Sequence, residues 1–325
     1  MPAPPERRKP GLEGVYEARE QRLEGRFSRP TGRAYLTIVV GLVASLLIYR
    51  FVSQRELGAR RAALLAKQRA AEVTIGQEWT PLRDRLEKFV TERAGDFGAD
   101  KVVLPDAKTW SERVDSGIYL RLRLDDSKTP EKIRAAAHDS ARDAFVGCLL
   151  RGVNKALVAG QPDAGAVPEQ PWNLRQAYAA TRILTPEWVG EVKDADDSLR
   201  LRIFEQQYDK AEREEIPRAI DIVAKSDFFL LVLDEPADDP TAVKPRWTDG
   251  GIDSAEEAVQ LVPHWVRVHV LDLKKNEEIL KLRRRADATF IPAAGRPVTD
   301  DETLDAMQRQ VNNCSLAQQV HAALQ

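Results

Sequence analysis

The chain has 325 residues, 43% of them hydrophobic and 31% charged, with a formal net charge of −2. That hydrophobic share excludes wholesale disorder, and that charged share excludes a protein of many membrane spans. A charge so near zero exerts no global pull on polyanions, so nucleic acid is not an expected partner. The two cysteines, Cys148 and Cys314, form no CxxC or Cys/His metal spacing.

Residues 1–33 are rich in Pro, Gly, Arg and Glu and almost devoid of aliphatics, which predicts a disordered N-terminal head. From Ala34 to Tyr49 the chain reads AYLTIVVGLVASLLIY, with no charge between Arg33 and Arg50, and Phe51-Val52 extend the apolar run. At 1.5 Å per residue the uncharged stretch covers roughly 24 Å, and a snorkelling Arg50 brings it toward the ~30 Å bilayer core. Tyr35 and Tyr49 sit where interfacial aromatics belong. A cleaved signal peptide would have a short head and a small-residue cleavage site, but bulky Tyr49-Arg50-Phe51 closes this segment. Residues 34–52 are therefore expected to form one transmembrane helix, with the lipid bilayer as its partner. Upstream Arg19, Arg22, Arg26, Arg29 and Arg33 balance downstream Arg55, Arg60, Arg61, Lys67 and Arg69, so charge bias sets no orientation. The short Pro/Arg-rich head favours a cytosolic N-terminus. The expected place is thus the plasma (inner) membrane, single-pass, with the soluble domain on the extracytoplasmic side.

A juxtamembrane helical connector (53–96) follows. Within it Ile75, Trp79, Leu82, Leu86 and Phe89 recur at 4-3-4-3 spacing, a seam for packing on the body of the domain. Thr80-Pro81, Thr129-Pro130 and Thr185-Pro186 each predict a helix start, a hydroxyl N-cap followed by a proline whose missing N–H costs nothing there. The helix from Pro130 is expected to carry Ile133, Ala137, Ala141, Phe145, Cys148 and Leu149 on one face. Loops are predicted over 159–172 and 235–263. Further helices are predicted over 173–184, 186–195, 198–225 (interrupted near Pro217) and 300–324, the last aligning Leu304, Met307, Val311, Cys314, Ala317 and Leu324.

Ile118–Leu124 alternates strictly, which predicts a strand with Leu120, Leu122 and Leu124 inward and Tyr119, Arg121 and Arg123 on a solvated face. Phe228–Leu233 is wholly apolar and belongs at the centre of a sheet. Trp265–Leu273 and Glu278–Arg285 flank a short polar turn and read as a hairpin, with Lys101–Leu104 as an edge. The soluble domain (97–325) is accordingly expected to be α+β, a mixed or antiparallel sheet of about 4–5 strands packed against helices on one face.

FFLLVLDEP (228–236) resembles the strand-Asp-Glu signature of P-loop ATPases, but that chemistry needs a glycine-rich loop ending in Gly-Lys-Ser/Thr, and the sequence has none. Asp234, Glu235, Asp238 and Asp239 form an acidic loop that offers oxygen ligands to a hard cation. Pro236 and Pro240 stand among them and no glycine does, unlike an EF-hand loop, so solvated carboxylates are the plainer reading. His264 and His269 lie five apart and face opposite sides of a strand. His138 and His321 have no ligand spacing, and no nucleophile elbow or GxGxxG occurs. No catalytic residue, metal or cofactor follows from these patterns. Cys148 and Cys314 fall on apolar helix faces. They read as buried thiols, and a location outside the cytosol would open the alternative of a disulfide joining the two helices. Arg283-Arg284-Arg285, with Arg121 and Arg123, reads as a solvated polar face that an anionic lipid, a glycan or a protein could meet.

The functional expectation is a single-pass membrane-anchored protein whose non-catalytic soluble domain is an interaction or accessory scaffold module of the cell envelope, with a protein partner or self-association. Two others compete: a membrane-tethered enzyme with a carboxylate-based site, and a single-pass ligand sensor acting through a partner.

Overall fold

The computed structural model describes residues 32–137, 144–151, 171–243, 247–248, 251–252, 255–291 and 301–325. The predicted head, but for its last two residues, lies outside them, as do His138, Ala141 and most of the 159–172 loop. The chain divides after Ala63 into two units, Met1–Ala63 and Leu64–Gln325.

Helix α1 (Gly32–Arg93) runs unbroken for 62 residues. At 1.5 Å per residue that is about 93 Å, three times a bilayer core, so only its apolar first part matches a span. Among the described residues it is the one helix long and apolar enough to cross a membrane. Every large apolar side chain from Tyr35 to Val52 is between 52% and 72% exposed, a surface that water alone would not cover favourably.

Pro81 lies inside α1 and starts nothing, which corrects the helix boundary expected at Thr80-Pro81. Its ring removes one backbone hydrogen bond. The helix carries through because Trp79 and Leu86 on either side of it are both buried in one hydrophobic cluster. The seam continues to Phe89 and Val90 and begins earlier than the spacing suggested, since Leu64, Gln68 and Ala71 are also buried.

The second unit is built on a six-stranded mixed sheet in the order β1-β8-β7-β4-β2-β3. Its strands are β1 (Lys101–Val102), β2 (Gly117–Arg123), β3 (Trp172–Asn173), β4 (Phe228–Ala237), β7 (His264–Asp272) and β8 (Glu277–Ala286). β5 (Trp247–Thr248) and β6 (Gly251–Ile252) form a separate small ladder. β2 runs parallel to β3 and β4, while β4–β7, β7–β8 and β1–β8 are antiparallel. The apolar β4 is central, and β7 and β8 form a hairpin whose turn residue Asn276 has φ 57°, a left-handed conformation that asparagine tolerates.

Helices cover both faces of the sheet, not one. On the first face lie α2 (Leu104–Glu112), α4 (Phe145–Arg151) and α10 (Asp301–Ala323), against Phe228, Leu230, Val232, Val266, Val268 and Val270. On the second lie α1, α3 (Pro130–Ala137), α5 (Arg175–Thr181) and α8 (Ile216–Lys225), against Ile118, Leu120, Leu122, Phe229, Leu231 and Leu233. Strict alternation in β2 therefore divides two buried faces. Tyr119 and Arg121 are 4% and 1% exposed, which overturns the solvated face expected for them. Of the helix expected from Pro130 to Leu149 the described residues hold two pieces: α3 places Ile133 and Ala137 on one face of the sheet, and α4 places Phe145, Cys148 and Leu149 on the other.

Among the described residues α6 (Pro186–Lys193) and α7 (Ser198–Lys210) are the remaining α-helices before α8, with π-helical Ala211–Glu215 linking α7 to α8. Thr185 caps α6 as its spacing predicts, accepting from the Trp188 N–H at 3.3 Å. The segment 235–263 is less of a loop than expected. β4 continues to Ala237, and α9 (Ala255–Val259) leads to the buried Gln260.

Candidate functional site

Asp234 and Glu235 are neighbours on β4 and so point to opposite faces of the sheet. Each nucleates a charge cluster. On the first face, Arg121 of β2 grips Asp234 with two parallel bonds, Nε to Oδ2 and Nη2 to Oδ1, both 2.7 Å. His264 Nε2 lies 3.0 Å from the same carboxylate, and its Nδ1 lies 2.8 Å from the Val262 carbonyl. Arg121 also donates through Nη1 to Asn313 Oδ1 of α10 at 2.5 Å. Asn313 donates in turn to Gln260 Oε1 at 3.1 Å, and Asn312 donates to the Gln260 carbonyl at 2.8 Å. All six side chains are no more than 2% exposed. Burial pushes the Asp234 carboxyl up, but Arg121 and His264 reverse this and hold it far below the usual carboxylate range.

On the second face, Glu235 accepts from Arg267 Nε at 2.7 Å and from Arg283 Nη2 at 2.6 Å. Burial raises its carboxyl, and the two guanidinium hydrogen bonds bring it below the ordinary value. Arg267 reaches on to the carbonyls of Arg93 and Gly95 at the end of α1. Trp265 lies beneath Arg283 and Arg285, whose guanidinium carbons are 4.4 Å and 5.8 Å from its ring centroid. His269 Nδ1 is 2.8 Å from Glu278 Oε1, which also accepts from Arg93 Nε at 2.7 Å.

A cleft of about 430 Å³ opens between α1 and α3, lined by Asp84, Glu87, Lys88, Thr91, Glu92, Pro130, Glu131 and Arg134. Its one buried acid, Glu87, is fastened by Arg134 at 2.7 Å and approached by the Tyr178 hydroxyl at 3.4 Å. Burial, and next the adjacent Glu87 charge, push the Tyr178 phenol well above its ordinary value. The other carboxylates of the cleft are exposed and spread along its rim.

The acidic loop read from sequence does not converge. Asp234 and Glu235 are strand residues held by arginines on opposite faces. Asp238 pairs with Arg285 at 2.6 Å. Asp239 caps the short turn Pro240–Ala242, accepting from the Thr241 N–H at 2.9 Å. The four carboxylates thus have four separate sets of partners. Among the described residues no group of three or more His, Cys, Asp or Glu side chains is placed to hold a metal ion. Cys148 and Cys314 are joined as a disulfide between α4 and α10, with Cα atoms 5.1 Å apart. His321 Nε2 makes a second tie between the same helices, 2.7 Å from the Leu149 carbonyl.

Sequence reasoning missed the network of Arg121, His264, Gln260, Asn312 and Asn313. Arg121 is separated from Asp234 by 113 residues and from Asn313 by 192, so no spacing rule links them. One local signal was present: an acidic pair ends a strand too apolar to be anything but central, so a buried cation had to meet it. No protein-family model, curated protein or solved structure matches the chain.

Proposed function

We propose that this chain is a single-pass membrane-anchored protein whose folded body is a non-catalytic interaction or accessory module of the cell envelope. The observation that carries the anchor is the exposed apolar face of α1 from Tyr35 to Val52, bracketed by Arg33 and Arg50. The Cys148–Cys314 disulfide supports an extracytoplasmic body, since such bonds persist in oxidising compartments. The buried charges support a structural role for the body's interior. Among the described residues, buried Asp234, Glu235, Glu87 and Asp227 each pair with a cation of the same fold, and buried Asp272 accepts from the Lys274 and Lys275 backbone N–H groups at the hairpin turn. The partner is another protein or a second copy of the chain, met at the surface of the body.

Cross-linking in intact membranes, read by mass spectrometry, tests this. Cross-links from the body to one partner protein or to itself support the module reading. Contacts confined to α1 residues 34–52 sink it. Extraction at alkaline pH tests the anchor separately, because a spanning helix keeps the chain in the membrane pellet. A second reading, a ligand sensor, draws on the α1–α3 cleft, whose volume falls within the ~300–1,000 Å³ range of small-molecule sites. A thermal-shift screen of small cationic ligands against wild type and Glu131→Ala separates the two readings.

A further inference from the structure

The geometry points to His269 as an acid-sensitive latch that fastens the last turns of α1 to the β7–β8 hairpin. The side chain is 1% exposed, and its two nitrogens have unequal surroundings. Nδ1 meets Glu278 Oε1 at 2.8 Å, while Nε2 is buried with no hydrogen-bond partner. Two rings close over it, Phe89 from α1 and Phe97 from the segment that follows, with centroids 6.5 Å and 6.1 Å from the imidazole.

This arrangement suits a neutral imidazole. Nδ1–H donates to the carboxylate, and the bare Nε2 sits against apolar rings, where a missing partner costs least. A second proton would place an N–H and a full charge at Nε2 with no acceptor in reach. The ring faces of Phe89 and Phe97 are a weaker substitute for water. The charged groups around the imidazole sharpen the penalty. Glu278 on β8 is the anion that meets it, and that carboxylate already accepts from Arg93 of α1. Arg93 and Lys281 add like charge, Arg267 stands two residues along β7, and β4 presents apolar Leu231 opposite His269.

Burial therefore pulls the His269 pKa down, and Glu278 only partly offsets it. The folded pKa lies below the value of 6.5 that the ring regains when exposed. The sign follows: the fastening is complete above that value and is lost as pH falls below it. What opens is the cover that Phe89 and Phe97 make over the imidazole. The other ties at this joint run from Arg85 to the Leu273 carbonyl and from Arg267 to the Arg93 and Gly95 carbonyls. The device belongs to the folded body alone and operates in whichever compartment that body occupies.

Hydrogen exchange by mass spectrometry on the full chain in detergent micelles, at pH 7.5 and pH 5.5 with intrinsic rates corrected, reads the latch directly. The expected result is a loss of protection at pH 5.5 in peptides covering residues 85–97, with α10 unchanged. In His269→Asn, whose amide still donates toward Glu278 and takes up no proton, the loss disappears. Equal protection at both pH values in wild type overturns the latch, and so does a loss that persists in the variant. Histidine C2–H exchange titrates His269 in the wild-type chain and needs no folded variant. A midpoint below 6.5 is expected, and one at or above 6.5 overturns the proposal.

Discussion

Asp234→Ala removes one carboxylate from the centre of the sheet and takes from Arg121 and His264, 1% and 0% exposed, the carboxylate that both of them meet. Water cannot reach either group without opening β2, β4, β7 or α10. Breaking a buried pair in this way costs about 3–5 kcal/mol, because the remaining charge stays desolvated. For a body of this size that corresponds to a melting temperature lower by on the order of 10 °C. Thermal or guanidinium unfolding of the full chain in detergent, followed by tryptophan fluorescence, measures it, since Trp110 and Trp188 are each 1% exposed and report on the interior. Asp238→Ala is the matched control: its partner Arg285 is 43% exposed, so that loss stays under about 1 kcal/mol. Arg121→Met combined with Asp234→Leu takes away both charges and is expected to cost less than the two single changes summed. If Asp234→Ala behaves like Asp238→Ala, the buried network is not what holds this part of the sheet. The same carboxylate sets an acid limit. Its folded pKa lies far below 3.8, so its contribution persists above that value and is lost only in stronger acid.

Four further outcomes are expected. Replacing Cys148 and Cys314 by alanine frees a span of 166 residues in the unfolded chain and lowers stability by about 2–5 kcal/mol; unfolding with and without reductant reads it, and no difference would refute the tie between α4 and α10. Leu42→Arg places a charge at the middle of the apolar stretch, costing about 2.5–3.5 kcal/mol on insertion scales, and shifts the chain from the alkaline-washed pellet toward the supernatant. Trp79→Ala empties a site 2% exposed beside Tyr178, with ring centroids 6.0 Å apart, and costs about 3–5 kcal/mol in the same unfolding assay. Gly117→Ala brings a methyl group to 2.9 Å from the Phe228 carbonyl oxygen at the start of the β2–β4 ladder, so it destabilises by about 1–3 kcal/mol although it adds one carbon.

Features written in short stretches of chain were legible. The apolar run before Arg50, the cap and proline at Thr185-Pro186 and the hairpin around Asn276 each depend on a few consecutive residues. The wholly apolar β4 announced its central place because no solvent-facing strand carries Phe-Phe-Leu-Leu-Val-Leu. Errors arose where a local sign competes with distant packing. Thr80-Pro81 has every mark of a helix start, yet burial on both sides of Pro81 outweighs one lost hydrogen bond. Alternation in Ile118–Leu124 showed that two faces differ without showing that both are covered, since Tyr119 and Arg121 on the first face look the same whether water or another helix meets them.

From the sequence alone came the apolar helix near the N-terminus, the α+β class and the positions of Cys148 and Cys314 on apolar helix faces. Periodicity and hydrophobicity determine these, and both act over a few residues. Tertiary structure alone decided that α1 passes Pro81 without a break, that α3 and α4 lie on opposite faces of the sheet, and that Asp234, Glu235 and Asp238 are divided among Arg121, Arg267, Arg283 and Arg285. The energy of a buried charge depends on which partner stands within about 3 Å of it. In this chain those partners come from strands and helices far apart in sequence, which only the folded sheet brings together.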